Sequence, residues 1–392
     1  MKTTFKFLLS LAFASVFPIS GLAQLTAYVW QEQTGLAATP GAGSGLMAYD
    51  PLRQVCILIQ GSDTWLWDGH AWTHPVLTGS QPQNPAGMVF DTRRNVAVLF
   101  CTTDSQLPGN TWEWNGSSWR LVSTNGLTSR TSFGMAYDSK RGRTVAFGGN
   151  YGLDGPEPAW TWEWDGVSWS VVATNGLPRR DFPTAAFDER HGVTILFGGR
   201  ADQTIDYPLL QDTWAWDGSV WTQVGTTGPA RESHAMIYDS VRGRILLFAG
   251  DNGANNPPGT TGLGDTWEWD GSQWSLSIGT GIPLRYDAGM AYDIANRVAV
   301  VFGGRVRNPP YGTLVNLQDT WLLALRDIWV DYGYGGTETG DFTTPFRTLG
   351  KAVSMTAPAS FIKFKAGHGV ETLTVSKSET LTAPSGAVTI GK

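Results

Sequence analysis

Short apolar runs alternate with polar turns along most of the chain, and the runs recur in a fixed order. One run ends in a landmark with six versions: Met47-Ala48-Tyr49-Asp50, Met88-Val89-Phe90-Asp91, Met135-Ala136-Tyr137-Asp138, Ala185-Ala186-Phe187-Asp188, Met236-Ile237-Tyr238-Asp239 and Met290-Ala291-Tyr292-Asp293. Nine residues after each Asp, an apolar residue closes the next run: Ile59, Phe100, Phe147, Phe197, Phe248, Phe302. Gly-Gly follows at Gly148-Gly149, Gly198-Gly199 and Gly303-Gly304. A third run carries Trp-x-Trp, and its first Trp (Trp65, Trp112, Trp162, Trp214, Trp267, Trp321) recurs every 47 to 54 residues. A fourth carries a single Trp and is joined to the third by Asp68-Gly69, Asn115-Gly116, Asp165-Gly166, Asp217-Gly218 or Asp270-Gly271. These pairs favour type I′ hairpins. The pattern predicts four antiparallel strands per unit and six units, an all-β chain folded as a six-bladed propeller.

The sixth unit stops at Leu322-Leu323-Ala324-Leu325, without the Asp-Gly turn or the fourth strand. In the other five units the fourth-strand Trp precedes a Gly by seven residues (Trp72/Gly79 to Trp274/Gly281), and Tyr28 precedes Gly35 by the same seven. Residues 26–31 are therefore expected to complete the last blade, which removes the open edges of a linear stack.

The pattern Tyr-Asp, Phe-Gly-Gly, Asp-Thr-Trp, Trp resembles the kelch repeat, in a form similar to exported bacterial kelch proteins and the kelch part of galactose oxidase. The resemblance covers roughly residues 25–325. It implies a kelch propeller, a fold that hosts enzymes, glycan binders and protein-binding adaptors. Galactose oxidase holds a copper through Tyr, His and a Cys–Tyr crosslink, and no set here matches it residue by residue. No cofactor is expected.

From residue 327 the period breaks. Trp329-Val330-Asp331, Pro345-Phe346-Arg347-Thr348-Leu349, Ala366-Gly367 and Glu371-Thr372-Leu373 are similar to the N-terminal cap of pectin-lyase-like proteins. That resemblance implies the first coils of a right-handed β-helix over 327–392, without the later coils that carry catalysis. A solenoid needs about three repeats to bury its core, so this segment is expected to dock, to self-associate or to be a remnant.

At the N-terminus, Lys2 and Lys6, the apolar run Phe7 to Phe17 and Gly21-Leu22-Ala23 read as a removed secretory signal over residues 1–23. The propeller is expected over 24–326, in a protein that is secreted, periplasmic or on the cell surface, with no membrane insertion. The formal charge of −6 and the absence of any Lys/Arg-rich run argue against nucleic acid. Cys56 and Cys101 sit on the same kind of strand in neighbouring units but about four residues out of step. That offset favours buried free thiols over a disulfide.

In a four-stranded meander, the links between strands two and three share a face with the links between blades. Counted from the strand-two apolar residue to the Thr of strand three, those links grow from 4 through 10, 13 and 15 to 17 and 17 residues. Insertions gathered on one face commonly mark the binding face. Arg130, Arg180, Arg231 and Arg285 stand there, each five residues before its landmark, where the first two units have Ala42 and Gln83. Kelch domains that bind acidic peptides carry Arg at the matching position. Two readings stay open: a half-ring of Arg that recognises an anionic glycan or acidic protein segment, or Arg paired with nearby acids such as Asp181, Glu232 and Asp287.

The repeated Trp read as blade-to-blade packing, while Trp160 and Trp30 fall outside the repeat and are candidates for exposure. The scattered His residues give no metal-ligand spacing. Asp154, Glu157, Asp202, Asp206, Asp251, Asn252, Asn255 and Asn256 could hold Ca²⁺ or simply make turns. Arg231-Glu232-Ser233-His234 leaves an enzymatic alternative: similarity to the sialic acid mutarotases implies Glu232 and His234 acting on an acidic sugar. The leading expectation is a non-catalytic exported binding propeller, with that enzyme and a scaffold assembling through 327–392 as alternatives.

Overall fold

The structure is a computed structural model that describes residues 28–104, 107–150, 159–201, 208–253, 262–278, 281–308, 313–325, 327–338, 343, 345–349, 351–352, 361–364 and 380–382. The expected leader and the expected strands at 371–375 and 387–390 lie outside the described residues. The chain divides into two compact units, Thr26–Arg326 and one that holds Asp327–Lys392.

The first unit is built of six four-stranded antiparallel sheets. Blade 1 is Leu46–Asp50, Val55–Gln60, Asp63–Trp67 and Trp72–Thr73; blade 2 is Pro85–Asp91, Val96–Cys101, Asn110–Trp114 and Trp119–Ser123. Blade 3 is Gly134–Asp138, Arg143–Phe147, Thr161–Trp164 and Trp169–Ala173; blade 4 is Thr184–Asp188, Val193–Phe197, Thr213–Trp216 and Trp221–Gly225. Blade 5 is Ala235–Asp239, Arg244–Phe248, Thr266–Trp269 and Trp274–Ile278. Blade 6 joins Gly289–Asp293, Val298–Phe302 and Thr320–Leu325 to Tyr28–Gln33, with Tyr28 opposite Leu325 and Gln33 opposite Thr320. The first strands neighbour one another in order, blade 6 returning to blade 1, so they form the innermost ring of a six-bladed propeller.

Each first strand ends on its landmark Asp because that carboxylate caps the turn that follows. Asp50 Oδ1 accepts the backbone N–H groups of Leu52 and Arg53, and Asp91 Oδ1 those of Arg93 and Arg94, all at 3.0 Å. This is an Asx turn, which Asp favours. At the hairpins between third and fourth strands the chain needs a left-handed residue, and Gly69, Gly116, Gly166, Gly218 and Gly271 supply φ of 97 to 101°.

The Trp period is explained by contacts between blades. Each fourth-strand indole donates to the Thr that opens the third strand of the preceding blade: Trp72 to Thr320, Trp119 to Thr64 and Trp169 to Thr111 at 2.8 Å, Trp221 to Thr161 at 2.7 Å, and Trp274 to Thr213 at 2.9 Å. The second Trp of each Trp-x-Trp from blade 1 to blade 5 is fully buried. At the sixth junction Trp30 takes this place: it stands opposite Leu323 as Trp72 stands opposite Trp67 and packs on Phe248, but neither its indole N–H nor Thr266 Oγ1 has a partner. Two residues earlier, the Tyr28 hydroxyl donates to Asp239 and the Arg242 guanidinium lies 4.9 Å above the Tyr28 ring.

Cys56 and Cys101 are free and buried. Burial pushes the Cys101 thiol up to about 12 and the Cys56 thiol well above its usual range, so neither is a reactive thiolate.

In the second unit, Asp327–Val330, Phe361–Phe364 and Thr380–Thr382 form a parallel sheet in which Ile328, Ile362 and Leu381 fall in one register column. Ile328, Val330, Phe346, Leu349, Ala352 and Ile362 make its buried core.

Candidate functional site

The four arginines singled out in the sequence lie four residues ahead of their first strands, and all are buried: Arg130 and Arg231 are 3% exposed, Arg180 1% and Arg285 0%. Arg180 forks onto Asp212 at 2.7 and 2.9 Å, and its other contacts go to the carbonyls of Pro178 and Gly198. Arg231 repeats this with Asp265, Pro229 and Ala249, and Arg285 with Asp319, Pro283 and Gly303. The acid comes from the Asp that precedes Thr-Trp in the same blade, and it also accepts the indole N–H of Trp214, Trp267 or Trp321 at 2.7 Å. Burial would raise these carboxyls, but the Arg hydrogen bonds and charge hold Asp212, Asp265 and Asp319 below the usual range.

The arginine is therefore a clasp. It ties the start of a first strand to both stems of the long connection between strands two and three. Blades 1 and 2 have the shortest of these connections and have Ala42 and Gln83 in place of the Arg. The reading of the four as a half-ring of open forks gives way to the ion-pair reading in blades 4 to 6. The partners are not the acids adjacent in sequence, because Phe182, Ser233 and Asp287 adopt φ of 52 to 56° and turn the chain immediately after them.

In blade 3 the position of the clasp Asp is taken by Trp160. Arg130 bonds the Gly148 carbonyl at 3.1 Å, the Thr128 carbonyl at 3.2 Å and the Thr128 hydroxyl. Trp160 is half-buried, its ring 6.1 Å from that of Trp162, and it packs on the blade 2–3 core rather than standing free. Trp30 packs on Phe248 at 4.8 Å.

What the long-loop end of the axis offers is a different set of residues. The residue after each clasp Arg bridges to the residue after the second-strand glycines: Thr131 with Asn150, Asp181 with Arg200, Glu232 with Asp251, Tyr286 with Arg305. Arg200 of blade 4 crosses to blade 5, its Nε and Nη2 on the Glu232 carboxylate at 2.7 and 2.8 Å, while its guanidinium lies 5.3 Å over Phe182. Asp287 N–H donates to the Ser233 carbonyl at 2.9 Å, and Arg305 stands 4.0 Å from the Asp287 carboxylate. The Arg200 and Arg305 side chains keep 34% and 41% of their surface exposed, Glu232 and Asp287 15% and 32%. Burial raises the Glu232 carboxyl despite Arg200, and Asp251 and Asp287 add to the rise; burial also raises Asp287, with Asp251 adding.

Of these residues Asp181, Glu232, Asp251 and Asp287 stand out in the sequence, and Arg200 and Arg305 do not. Their signal was the residue following Gly198-Gly199 and Gly303-Gly304.

His234 does not join this group. It is 6% exposed, its ring lies 5.6 Å from that of Phe197 in blade 4, and neither ring nitrogen has a partner. Burial, with the Arg231 charge, holds its pKa well below 6.5, so it is a neutral imidazole in a blade seam. Among the described residues no group of three or more His, Cys, Asp or Glu is placed to hold a metal ion. Asp154, Glu157, Asp202, Asp206, Asn255 and Asn256 lie outside the described residues.

At the tight-turn end the six first strands surround an open pocket of about 240 Å³. Its walls are the landmark residues, with Tyr49, Phe90, Tyr137, Phe187, Tyr238 and Tyr292 contributing the aromatic level.

No family model matches the chain, and no curated protein sequence matches it. Among solved structures it is similar to that titled "Structure of YjhT", with a TM-score of 0.55 and 13% identity, over 74% of this chain and 97% of that one. At that identity the likeness is one of fold. The blade order and this neighbour together make residues 26–326 a six-bladed β-propeller.

Proposed function

We propose that this is an exported, non-catalytic binding propeller that takes an acidic glycan at the axial end of its long-loop face. One observation carries the reading: Arg200, Glu232, Asp251, Asp287 and Arg305, drawn from three consecutive blades, meet there with their charged ends part exposed. Carboxylates accept from sugar hydroxyls, and guanidinium groups donate to hydroxyls and to carboxylate or sulfate groups, so the set suits an anionic, hydroxyl-rich ligand. The buried clasp arginines take no part in this site.

The repeat of Tyr-Asp, Gly-Gly and Asp-Thr-Trp supports a kelch-type propeller, and the pairing of Tyr28–Gln33 with Thr320–Leu325 supports closure of the ring by the N-terminal strand. The in-register parallel strands of the second unit support a β-helix start. Self-association through 327–392 stays with the scaffold alternative. A catalytic variant of the main reading has one observation in its favour: the raised Glu232 carboxyl holds its proton closer to neutrality, as a general acid on an acidic sugar would.

The test is titration of a panel of neutral, carboxylated and sulfated oligosaccharides by calorimetry, with wild type and Arg200→Ala/Arg305→Ala. Selective anionic binding weakened at least tenfold by the double variant supports the proposal. No saturable binding to any member, or binding indifferent to the double variant, overturns it. Turnover of an acidic sugar lost in Glu232→Gln would move the assignment to the enzyme.

A further inference from the structure

Two residues after each clasp Arg the chain passes through a left-handed residue: Ser132, Phe182, Ser233 and Asp287, with φ of 58, 56, 52 and 54°. Three of these are small and polar. Phe182 is the exception, because a bulky side chain rarely takes positive φ. Pro183 follows it, and a residue before proline is pushed toward extended backbone instead. The Phe182 amide is nonetheless fixed, donating to the Ser132 carbonyl of blade 3 at 2.7 Å. Strain of this kind persists only where the surroundings enforce it, and it gathers at functional sites.

The surroundings of the Phe182 ring give the strain a purpose. The residue is half-buried, and the Arg200 guanidinium lies over its ring with Cζ 5.3 Å from the centroid. Glu232 takes the Nε–Nη2 side of the same guanidinium at 2.7 and 2.8 Å. One face and one edge of Arg200 are therefore occupied. The end-on edge, Nη1 with the outer N–H of Nη2, is left over, and among the described residues Nη1 has no partner. A guanidinium is a rigid planar fork, so holding its face and side aims the donors that remain. Arg305 lacks this support: Asp287, not an aromatic residue, stands at the matching left-handed position, and its carboxylate is 4.0 Å away.

We propose that Phe182 is the positioning residue of the long-loop site: with Glu232 it holds Arg200 so that the end-on fork is ready for the acidic group of the ligand. This role rests on the acidic-glycan reading of that site, and it makes Arg200 the fixed anchor and Arg305 the adaptable one.

The test titrates a galacturonic acid trimer and a heparin tetrasaccharide into the full chain by calorimetry, beside thermal unfolding. Phe182→Asn, with a residue at ease in left-handed backbone, should weaken binding about fivefold while its thermal midpoint stays at or above wild type. Phe182→Trp keeps an aromatic face and should bind within about twofold of wild type. In an Arg200→Ala background Phe182→Asn should change affinity by less than about twofold, because the ring acts through that arginine. Wild-type affinity in Phe182→Asn, an equal loss in Phe182→Trp, or full additivity with Arg200→Ala would each overturn the role. A midpoint lowered by more than about 5 °C in Phe182→Asn would assign the ring to packing and overturn it too. Failure of both saccharides to bind wild type would overturn the acidic-glycan reading and this role with it, whereas wild-type binding that Phe182→Asn leaves intact removes Phe182 alone.

Discussion

Arg285 Nη1 and Nη2 meet the two carboxylate oxygens of Asp319 at 2.8 Å each, although the residues are thirty-four positions apart. Arg285 is fully buried, so removing one partner leaves the other charge without compensation. Arg285→Ala is expected to cost about 3–5 kcal/mol, read as a shift in the urea midpoint. Arg285→Lys should recover only part of it, because an ammonium cannot fork onto a carboxylate. A loss below about 1 kcal/mol would show that the pair behaves as an exposed one.

The indole–Thr ladder offers a matched pair of substitutions. In Thr213→Val the Trp274 indole N–H loses its acceptor in a buried seam, with an expected cost of about 1–3 kcal/mol. Thr266 sits at the same place in the next blade, where neither its hydroxyl nor the Trp30 indole N–H has a hydrogen-bond partner. Thr266→Val should therefore fall within about 0.5 kcal/mol of wild type or stabilise. Equal losses at both positions in urea unfolding would remove the ladder as a source of stability.

His234 should make the fold sensitive to mild acid. Its folded pKa is depressed, while in the unfolded chain it titrates near about 6.5. Below that value the unfolded state binds a proton that the folded state refuses, so stability is full above about 6.5 and falls by about 1.4 kcal/mol per pH unit below it. Glu232 and Asp287, with raised carboxyls, act in the opposite sense, so the quantity to measure is the difference between wild type and His234→Leu. That difference, from urea midpoints between pH 7 and pH 5, should grow as pH falls; a constant difference would contradict it.

Tyr28 is expected to matter more than its place near the chain start suggests. Tyr28→Phe removes the hydroxyl that donates to Asp239 in a buried junction and should cost about 1.5–3 kcal/mol in thermal or urea unfolding. Wild-type stability in this variant would speak against the sixth junction as a stabilising contact.

The blades were legible in the sequence because every strand boundary carries its own chemistry: an Asp that caps a turn, a Gly that must take positive φ, a Trp that must find a Thr. The partner of each clasp Arg was not. Asp181, Glu232 and Asp287 lie one or two residues from an Arg in sequence, but left-handed residues at Phe182, Ser233 and Asp287 redirect the chain, and none of these is a Gly that would announce it. Asp212, Asp265 and Asp319 were hidden inside a repeat landmark, where they read as part of the pattern. For the same reason Arg200 and Arg305 went unmarked, since each looks like the residue after a turn until the ring brings it to the axis.

The clasp also separates the length of a connection from the integrity of the ring. Where Arg180, Arg231 and Arg285 pin both stems, lengthening the chain between them costs the ring only the slowly growing entropy of a larger closed loop. Blades 4 to 6 are thus built as sockets into which new peptide can be inserted or exchanged beyond the residues, such as Arg200, that reach the next blade. Blades 1 and 2, which lack the clasp, would have to acquire an Arg before they could accommodate the same variation.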